Sequence, residues 1–293
     1  MKRFLSVLCL AALLCAGGGC QTPPRPPSPV LRGAEGAPTA PVSPAAPVFS
    51  VTSDWADVPV GELEDTRLLA LINGEHPIPD GGVPFPTVSA YQTVPVAAAD
   101  IQMHPRALAA ADALFARAEA EGFDGFFIAS GYRTRDRQTQ LYEEADDKAY
   151  VQKPGHSEHQ TGLAADIAYT GIGQAQFGDT DEGRWLAQNA WQYGFILRYP
   201  EDKRDVTGIA FEPWHFRYVG QPHAAYCHDN DLCLEEYLQL LADSGGFDIT
   251  LERQTYSVFY ARPRDDVIRA PGAERCEISS DNTGGYIITV WED

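Results

Sequence analysis

The stretch SEHQTGLAAD at residues 157–166 begins as a polar, loop-like segment and continues into apolar residues that are typical of a strand. His159 and Asp166 lie seven positions apart in it. On a loop that runs into a strand, this gap can bring both side chains to one point. A second histidine, His215, lies far along the chain in the segment EPWH at residues 212–215. Two imidazoles and one carboxylate form a suitable ligand set for zinc, and three protein ligands leave a fourth position open for water.

Glu212 lies three residues before His215 and is a candidate base for such a site. Zinc lowers the pKa of a bound water to about 7 in favourable sites, but a carboxylate must still accept the proton as the water attacks. In an extended segment, side chains three positions apart point to opposite faces. We therefore predict a turn or bulge at Pro213 and Trp214, which would bring Glu212 and His215 together.

Arg133 follows the tripeptide SGY, residues 130–132, at the end of a short apolar strand. The guanidinium fork suits a substrate carboxylate or a developing oxyanion, and Gln138 could add a hydrogen bond. His156 lies three residues before His159 and is interpreted as either a rival ligand or a residue behind the ligands. The four remaining histidines are interpreted as surface or core residues without a role in the site: His76, His104, His223 and His228.

The segments SGYRT at residues 130–134, SEHQTGLAAD and EPWH resemble, in this order, motifs of the VanY-type D-alanyl-D-alanine carboxypeptidase family. This family belongs to the zinc peptidases that share the core of sonic hedgehog and lysostaphin. The resemblance extends over roughly residues 71–241, which is most of the folded chain. It implies a small antiparallel sheet with helices packed against it.

The resemblance also implies roles for individual residues. His159, Asp166 and His215 are implied as the ligands of one zinc ion per chain, with a single oxygen of Asp166 in contact. Glu212 is implied as the catalytic base, and Arg133 as the arginine that steadies the substrate or the tetrahedral intermediate. Positions near the bound peptide are implied for three further residues: Ser130, Gln138 and Ser157.

The activity that the resemblance implies is removal of the C-terminal D-alanine from stem peptides of peptidoglycan by a zinc-dependent hydrolase that remodels the cell wall. Two alternatives on the same metal core stay open, an L,D-carboxypeptidase and a D,D-dipeptidase, because the motifs do not separate them. A third alternative is a non-catalytic lipoprotein that binds the cell wall. Loss of Glu212 or of a metal ligand would have favoured this third alternative, but all are present.

The mixture of helices and short strands predicts an α+β fold in a domain over residues 51–245. Period-two alternation and the turn sequence DNTGG at residues 281–285 predict a small β-rich extension over residues 246–293, with no assigned role. The predicted helices are 106–121, 136–146, 182–193 and 232–242. The predicted strands are 126–128, 163–169, 195–199 and 215–219.

The first residues, 1–19, resemble an export signal, with a charged start and an apolar run too short to span a bilayer as a mature helix. Gly19 directly before Cys20 is similar to a bacterial lipoprotein signal, although Gly17 stands where that pattern usually has leucine. We expect Cys20 to carry a lipid that anchors the protein to the outer face of the cell membrane; ordinary cleavage nearby is the alternative. The proline-rich composition of residues 20–50 predicts that this segment is a disordered tether.

The formal net charge of -19 argues against nucleic acid as a partner, because binding to phosphates depends on lysine and arginine. Export permits disulfides, but the pairing among Cys227, Cys233 and Cys276 stays open. No CxxC pair occurs in the sequence, so a thiolate zinc site is not expected. We expect the protein to be a monomer.

Overall fold

The computed structural model describes residues 55–79, 84–146, 148–271 and 275–291. The predicted export signal, Cys20 and the tether lie outside the described residues. The α-helices are Pro105–Ala120 (α1), Arg135–Glu144 (α2), Asp181–Asn189 (α3), Arg204–Thr207 (α4), Gln221–Asp229 (α5) and Leu234–Ser244 (α6). Among the residues described, no helix combines the length and the apolar character that crossing a membrane requires.

The strands are short and, with their neighbours, form four antiparallel sheets in the described part of the chain. The strands are Trp55–Pro59 (β1), Val88–Ser89 (β2), Gln102–Met103 (β3), Phe126–Ser130 (β4), Ala164–Tyr169 (β5), Phe195–Leu197 (β6), His215–Tyr218 (β7), Gly246–Leu251 (β8), Gln254–Ala261 (β9), Val267–Pro271 (β10), Cys276–Ser280 (β11) and Tyr286–Trp291 (β12). The α+β class, the small antiparallel sheet and the β-rich C-terminal extension are thereby confirmed.

The central sheet has the strand order β4-β5-β7-β6. In its register, Ser130 pairs with Asp166, and Asp166 pairs with His215. A register shift between Ile128 and Ser130 interrupts the pairing at the end of β4. Such irregularities re-aim side chains and are frequent beside active sites. The sheet therefore places two of the predicted metal ligands side by side on neighbouring strands.

Helix α1 packs with the central sheet in the largest hydrophobic cluster of the described chain. The helix begins at Pro105, a residue suited to the first helical position. The His104 ring accepts a hydrogen bond from the Arg106 amide at 3.3 Å, which caps the helix start. Its buried residues recur at helical spacing, as the sequence pattern predicts: Ala107, Leu108, Ala111, Leu114, Phe115 and Ala118.

The C-terminal extension forms a second four-stranded sheet with the order β11-β12-β9-β8. Its residues Phe247 and Ile287 share a buried cluster with Tyr237 and Leu241 of α6. In addition, β10 pairs with β1 from the start of the described chain. The extension is thus packed on the rest of the protein through helix α6 and through strand β1.

Two local predictions differ from the structure. The predicted helix 182–193 is α-helical only as far as Asn189, and a tighter turn over Ala190–Tyr193 follows until Gly194, at φ 84°, ends it. Helix α5 was not predicted. Four consecutive residues at its start, 222–225, are buried, so its sequence carries no single apolar stripe. The division of the chain at residue 245 stays a prediction.

Candidate metal centre

The ligand atoms of His159, Asp166 and His215 all lie within 4.8 Å of one another, and all three side chains are buried. His159 lies in the short turn Glu158–Thr161, Asp166 on β5 and His215 on β7. In the described part of the chain, this is the only group of three or more such side chains with metal-binding spacing. The structure therefore brings together the three residues that the sequence motifs predict as metal ligands.

Gly162 ends the turn that carries His159 with a left-handed conformation, φ 71°. Its carbonyl accepts a hydrogen bond from the His104 amide at 2.8 Å. A Cβ at this position would lie 2.8 Å from that same amide nitrogen. Both the conformation and the close approach favour glycine, which explains the glycine between the two ligands in the motif.

The two histidine rings present different nitrogens to Asp166. His159 Nδ1 lies 2.7 Å from the Gly131 carbonyl, to which it donates a hydrogen bond, so Nε2 remains for a ligand role. His159 Nε2 lies 3.4 Å from Asp166 Oδ1, and His215 Nδ1 lies 3.2 Å from the same oxygen. The rings stand nearly perpendicular, with centroids 4.9 Å apart. Three donor atoms therefore converge from three directions.

Asp166 divides its two oxygens between different partners. Oδ2 accepts a hydrogen bond from Arg133 Nη2 at 3.2 Å, whereas Oδ1 faces the two histidines. Burial raises the pKa of Asp166, but the interactions with His159 and His215 outweigh it and hold the pKa well below its usual value. The arrangement leaves one ionised oxygen for a cation. It agrees with the expectation that a single oxygen of Asp166 contacts the metal.

The predicted turn between Glu212 and His215 is confirmed, because the His215 amide donates to the Glu212 carbonyl at 3.0 Å. Glu212 Oε2 then lies 3.6 Å from His215 Nδ1. Burial raises the pKa of Glu212 to about 7, since the attraction of His215 and Arg133 only partly offsets burial and the repulsion of Asp166. A carboxylate with a pKa near neutrality is suited to accept and return a proton.

The guanidinium of Arg133 is held on three sides. Its Nε donates to Ser130 Oγ at 3.2 Å, its Nη1 to Gln138 Oε1 at 3.1 Å and its Nη2 to Asp166. Gln138 is itself fixed by a 2.7 Å bond to the Gln152 carbonyl. Ser130 and Gln138 thus bind Arg133, and their contact with a substrate stays a prediction.

A cavity of about 1020 Å³ opens onto the ligands. Its lining includes all three of them, together with Glu212, Arg133 and the buried Ser157. The exposed aromatic side chains of Tyr150 and Phe211 also line it. The volume is in the range of cavities that hold small ligands. All of the predicted site residues except Ser130 therefore line one cavity.

The other histidines and the cysteines lie outside this group. His156 Nδ1 bonds to the Asn73 carbonyl at 2.7 Å, so it is not one of the clustered ligands. His104 caps α1, and His228 stacks on Trp191. His223 is buried between the Tyr237 hydroxyl and Thr289, at 2.6 and 3.1 Å. Three cysteines are free thiols: Cys227, Cys233 and Cys276.

A buried ion-pair network behind the ligands was not predicted from the sequence. Glu158 Oε1 accepts from Arg198 Nε at 2.8 Å and from Arg217 Nη1 at 2.7 Å, and both arginines are fully buried. A signal existed in the sequence. Arg217 follows His215 by two positions on a strand, so the two side chains share a face.

The residues present fit zinc. The donor set of two imidazoles and one carboxylate is a common catalytic zinc set, and it leaves a coordination position for water. Each histidine has an acceptor behind its ring: the Gly131 carbonyl behind His159 and the Glu158 carboxylate behind His215. Glu212 lies beside the ligands without being one of the clustered three.

Comparison with known proteins identifies relatives of this chain. A family model described as VanY, D-alanyl-D-alanine carboxypeptidase, matches residues 100–221. A D-alanyl-D-alanine carboxypeptidase of Enterococcus faecium is 42% identical over 171 residues, which cover 58% of this chain and 55% of that protein. A bifunctional D-Ala-D-Ala dipeptidase and D-Ala-D-Ala carboxypeptidase, VanXYC of Enterococcus gallinarum, is 36% identical over 192 residues, 60% of this chain and 96% of that protein.

Solved structures of similar fold include two peptidases. The D,D-dipeptidase VanXYg in complex with a D-Ala-D-Ala phosphinate analog has a TM-score of 0.67 and 30% identity, and the match covers 82% of this chain and 99% of that one. The second is a mutant of the D,D-pentapeptidase VanY from a VanB-type resistance cassette, in complex with Zn(II). It has a TM-score of 0.50 and 34% identity, and the match covers 59% of this chain and 99% of that one.

The extent of these matches differs between relatives. The chain spans about half the length of the Enterococcus faecium carboxypeptidase, 55%, but nearly all of VanXYC, 96%. The match to VanXYC includes nearly the whole of a relative at 36% identity. Together with the order of the motifs and the clustered ligands, it shows that this chain belongs to the VanY family of D-alanyl-D-alanine carboxypeptidases.

Proposed function

We propose that this protein is a zinc-dependent carboxypeptidase that removes the C-terminal D-alanine from stem peptides of peptidoglycan. The observation that carries the proposal is the buried His159-Asp166-His215 group at the base of a cavity, with Glu212 Oε2 3.6 Å from His215. The three ligands would hold one zinc ion. When bound, zinc supplies Lewis-acid polarisation of the scissile carbonyl and lowers the pKa of water.

The protein's own residues carry the proton transfers and the positioning. Glu212 takes the proton of the attacking water as general base and then delivers it to the leaving amine of D-alanine as general acid. Arg133 binds the terminal carboxylate of the peptide or the developing oxyanion. The bonds from Arg133 to Ser130 and Gln138 fix the guanidinium before substrate binds, which reduces the entropy lost on binding.

The proposal is tested by mass spectrometry of defined stem peptides incubated with the purified protein. With zinc present, a pentapeptide ending in D-Ala-D-Ala should lose one D-alanine, and a chelator should stop the reaction. Glu212→Ala should keep zinc and lose nearly all turnover. If Glu212→Ala retains most of the activity, the base is another residue.

The same assay separates the alternatives. Loss of D-alanine from a tetrapeptide would indicate an L,D-carboxypeptidase, and cleavage of free D-Ala-D-Ala would indicate a D,D-dipeptidase. A non-catalytic wall-binding protein would leave every peptide intact and would show no chelator-sensitive activity. The exported, lipid-anchored location is part of the proposal and rests on the sequence around Cys20. Metabolic labelling with a fatty-acid analogue, compared between wild type and Cys20→Ser, tests it.

A further inference from the structure

Two buried polar atoms face each other behind the metal ligands. Glu158 Oε2 and His215 Nε2 are the only buried side-chain nitrogen or oxygen atoms without a hydrogen-bond partner in the described residues. They lie 3.6 Å apart, slightly beyond hydrogen-bond distance. An unpartnered buried polar atom is costly, so a small rotation of the imidazole that closes this gap would be favourable. Each atom is the natural partner of the other.

Glu158 is rigidly held in this position. Its other oxygen, Oε1, accepts two charge-assisted bonds from Arg198 and Arg217. Arg198 continues to Glu235 through two bonds of 2.8 and 2.7 Å. Arg217 Nη2 donates to the carbonyls of Leu68 and Ala70, at 2.9 and 3.0 Å. Glu158 is therefore fixed from both sides while Oε2 is left to face His215.

The network is electrically balanced, because two carboxylates, Glu158 and Glu235, face two guanidinium groups, Arg198 and Arg217. Burying four charges is expensive, and well-packed apolar residues would often give equal or greater stability. General stability is therefore a poor explanation for the network. Specific orientation of a neighbouring group is a better one, and His215 is the neighbour that Glu158 Oε2 faces.

We infer that Glu158 is a positioning residue of the metal centre, whose Oε2 accepts the Nε2 proton of His215 and so directs the unprotonated Nδ1 toward the metal. His159 receives the equivalent support from a neutral acceptor, the Gly131 carbonyl at 2.7 Å. A carboxylate behind the imidazole also increases its basicity as a ligand. The inference rests on the proposed zinc site and adds a residue that does not itself touch the ion.

The test compares Glu158→Gln with a matched control, Glu235→Gln, in the full chain. Both substitutions remove one carboxylate from the same network, but Glu235 bonds to Arg198 and Asn73 and not to His215. Zinc affinity is measured by competition with a chromophoric chelator. Loss of an outer partner of a metal-bound histidine typically costs about 10–100-fold in affinity, and we expect that loss for Glu158→Gln. Glu235→Gln should stay near the wild-type affinity.

The cobalt-substituted proteins give a second readout, because the visible absorption bands of Co²⁺ respond to ligand geometry. The bands should shift in Glu158→Gln and not in Glu235→Gln. Unchanged zinc affinity in Glu158→Gln would overturn the inference, and so would an equal loss in both variants, which would indicate a general effect of the network. Failure of the wild type to bind zinc would instead overturn the proposed function.

If Glu158→Gln does not fold, nuclear magnetic resonance of the zinc-loaded wild-type protein decides. A hydrogen bond to the buried Glu158 carboxylate should move the proton on His215 Nε2 downfield and protect it from exchange with solvent. A proton at Nε2 that exchanges rapidly, or an Nε2 without a bound proton, would rule out Glu158 as its acceptor.

Discussion

His223 should make the protein sensitive to acid. It is 1% exposed, and its nitrogens bond to Tyr237 and Thr289, so it joins α5 to helix α6 and to the C-terminal sheet. Burial, together with the repulsion of Arg106, lowers the pKa of His223 to about 3. The unfolded histidine has a pKa of about 6.5, so below that pH the folded state, which holds the neutral ring, binds fewer protons than the unfolded chain.

The sign and size of the effect follow from linkage. Well above a pH of about 6.5 the ring is neutral in both states and contributes no pH dependence. As the pH falls, the unfolded chain takes up the proton and the folded protein does not, so stability is lost progressively between about 6.5 and the folded pKa of about 3. At about pH 5, this single histidine should lower the free energy of unfolding by about 2 kcal/mol relative to neutral pH.

The assay is urea denaturation of the zinc-free protein, followed by tryptophan fluorescence at about pH 7 and about pH 5. His223→Gln cannot titrate, so its loss of stability between the two pH values should be about 2 kcal/mol smaller than that of the wild type. His228→Gln is the matched control, because His228 lies on the same helix, stacks on Trp191 and has an exposed side chain. Equal pH dependence in wild type and His223→Gln would refute the reasoning.

Four further predictions concern the site. His215→Ala should abolish stoichiometric zinc in metal analysis, and unchanged zinc content would remove His215 from the ligand set. Gly162→Ala should lower the free energy of unfolding by about 2–4 kcal/mol in chemical denaturation, because Gly162 has φ 71° and lies close to neighbouring backbone. A loss below about 0.5 kcal/mol would contradict this prediction. Arg133→Lys should lower kcat/KM by roughly 10–100-fold with zinc retained, since an ammonium cannot replace the guanidinium fork; an equal fall in zinc content would indicate a structural defect instead. The value of kcat/KM should fall at acid pH as Glu212 becomes protonated, because its pKa is about 7 before a bound cation lowers it. A kcat/KM that stays constant down to about pH 4 would exclude Glu212 as the base.

The position of the candidate metal ligands could be predicted because motif spacing and strand periodicity are local properties. His159 and Asp166 lie in one loop-strand segment, and the turn before His215 follows from Pro213 and the need for Glu212 to reach the same point. The partner strand of β5 is not encoded locally. Only the sheet register shows that Asp166 pairs with His215.

Apart from the position of Arg217 on the face of His215, the residues behind the candidate ligands could not be predicted in the same way. Arg198, Arg217 and Glu158 are charged, and charged residues are ordinarily expected on the surface. Their burial depends on mutual pairing across a separation of 40 to 59 residues, which no local pattern contains. Likewise, Ser130 and Gln138 are near the site as predicted, but only the folded structure shows that both bond to Arg133.

The contacts of the segment at residues 66–71 affect the order in which the protein can fold while it is being synthesised. The Leu69 amide donates to Ser279 Oγ at 2.9 Å, and the Leu71 amide to the Asp281 carbonyl at 2.9 Å. Carbonyls of this same segment bind Arg217, which holds Glu158. Ser279 follows Leu69 by 210 residues, so a ribosome makes this partner long after it has made the early segment. A nascent chain can acquire its full set of contacts behind the candidate metal centre only after residues 279–281 have emerged.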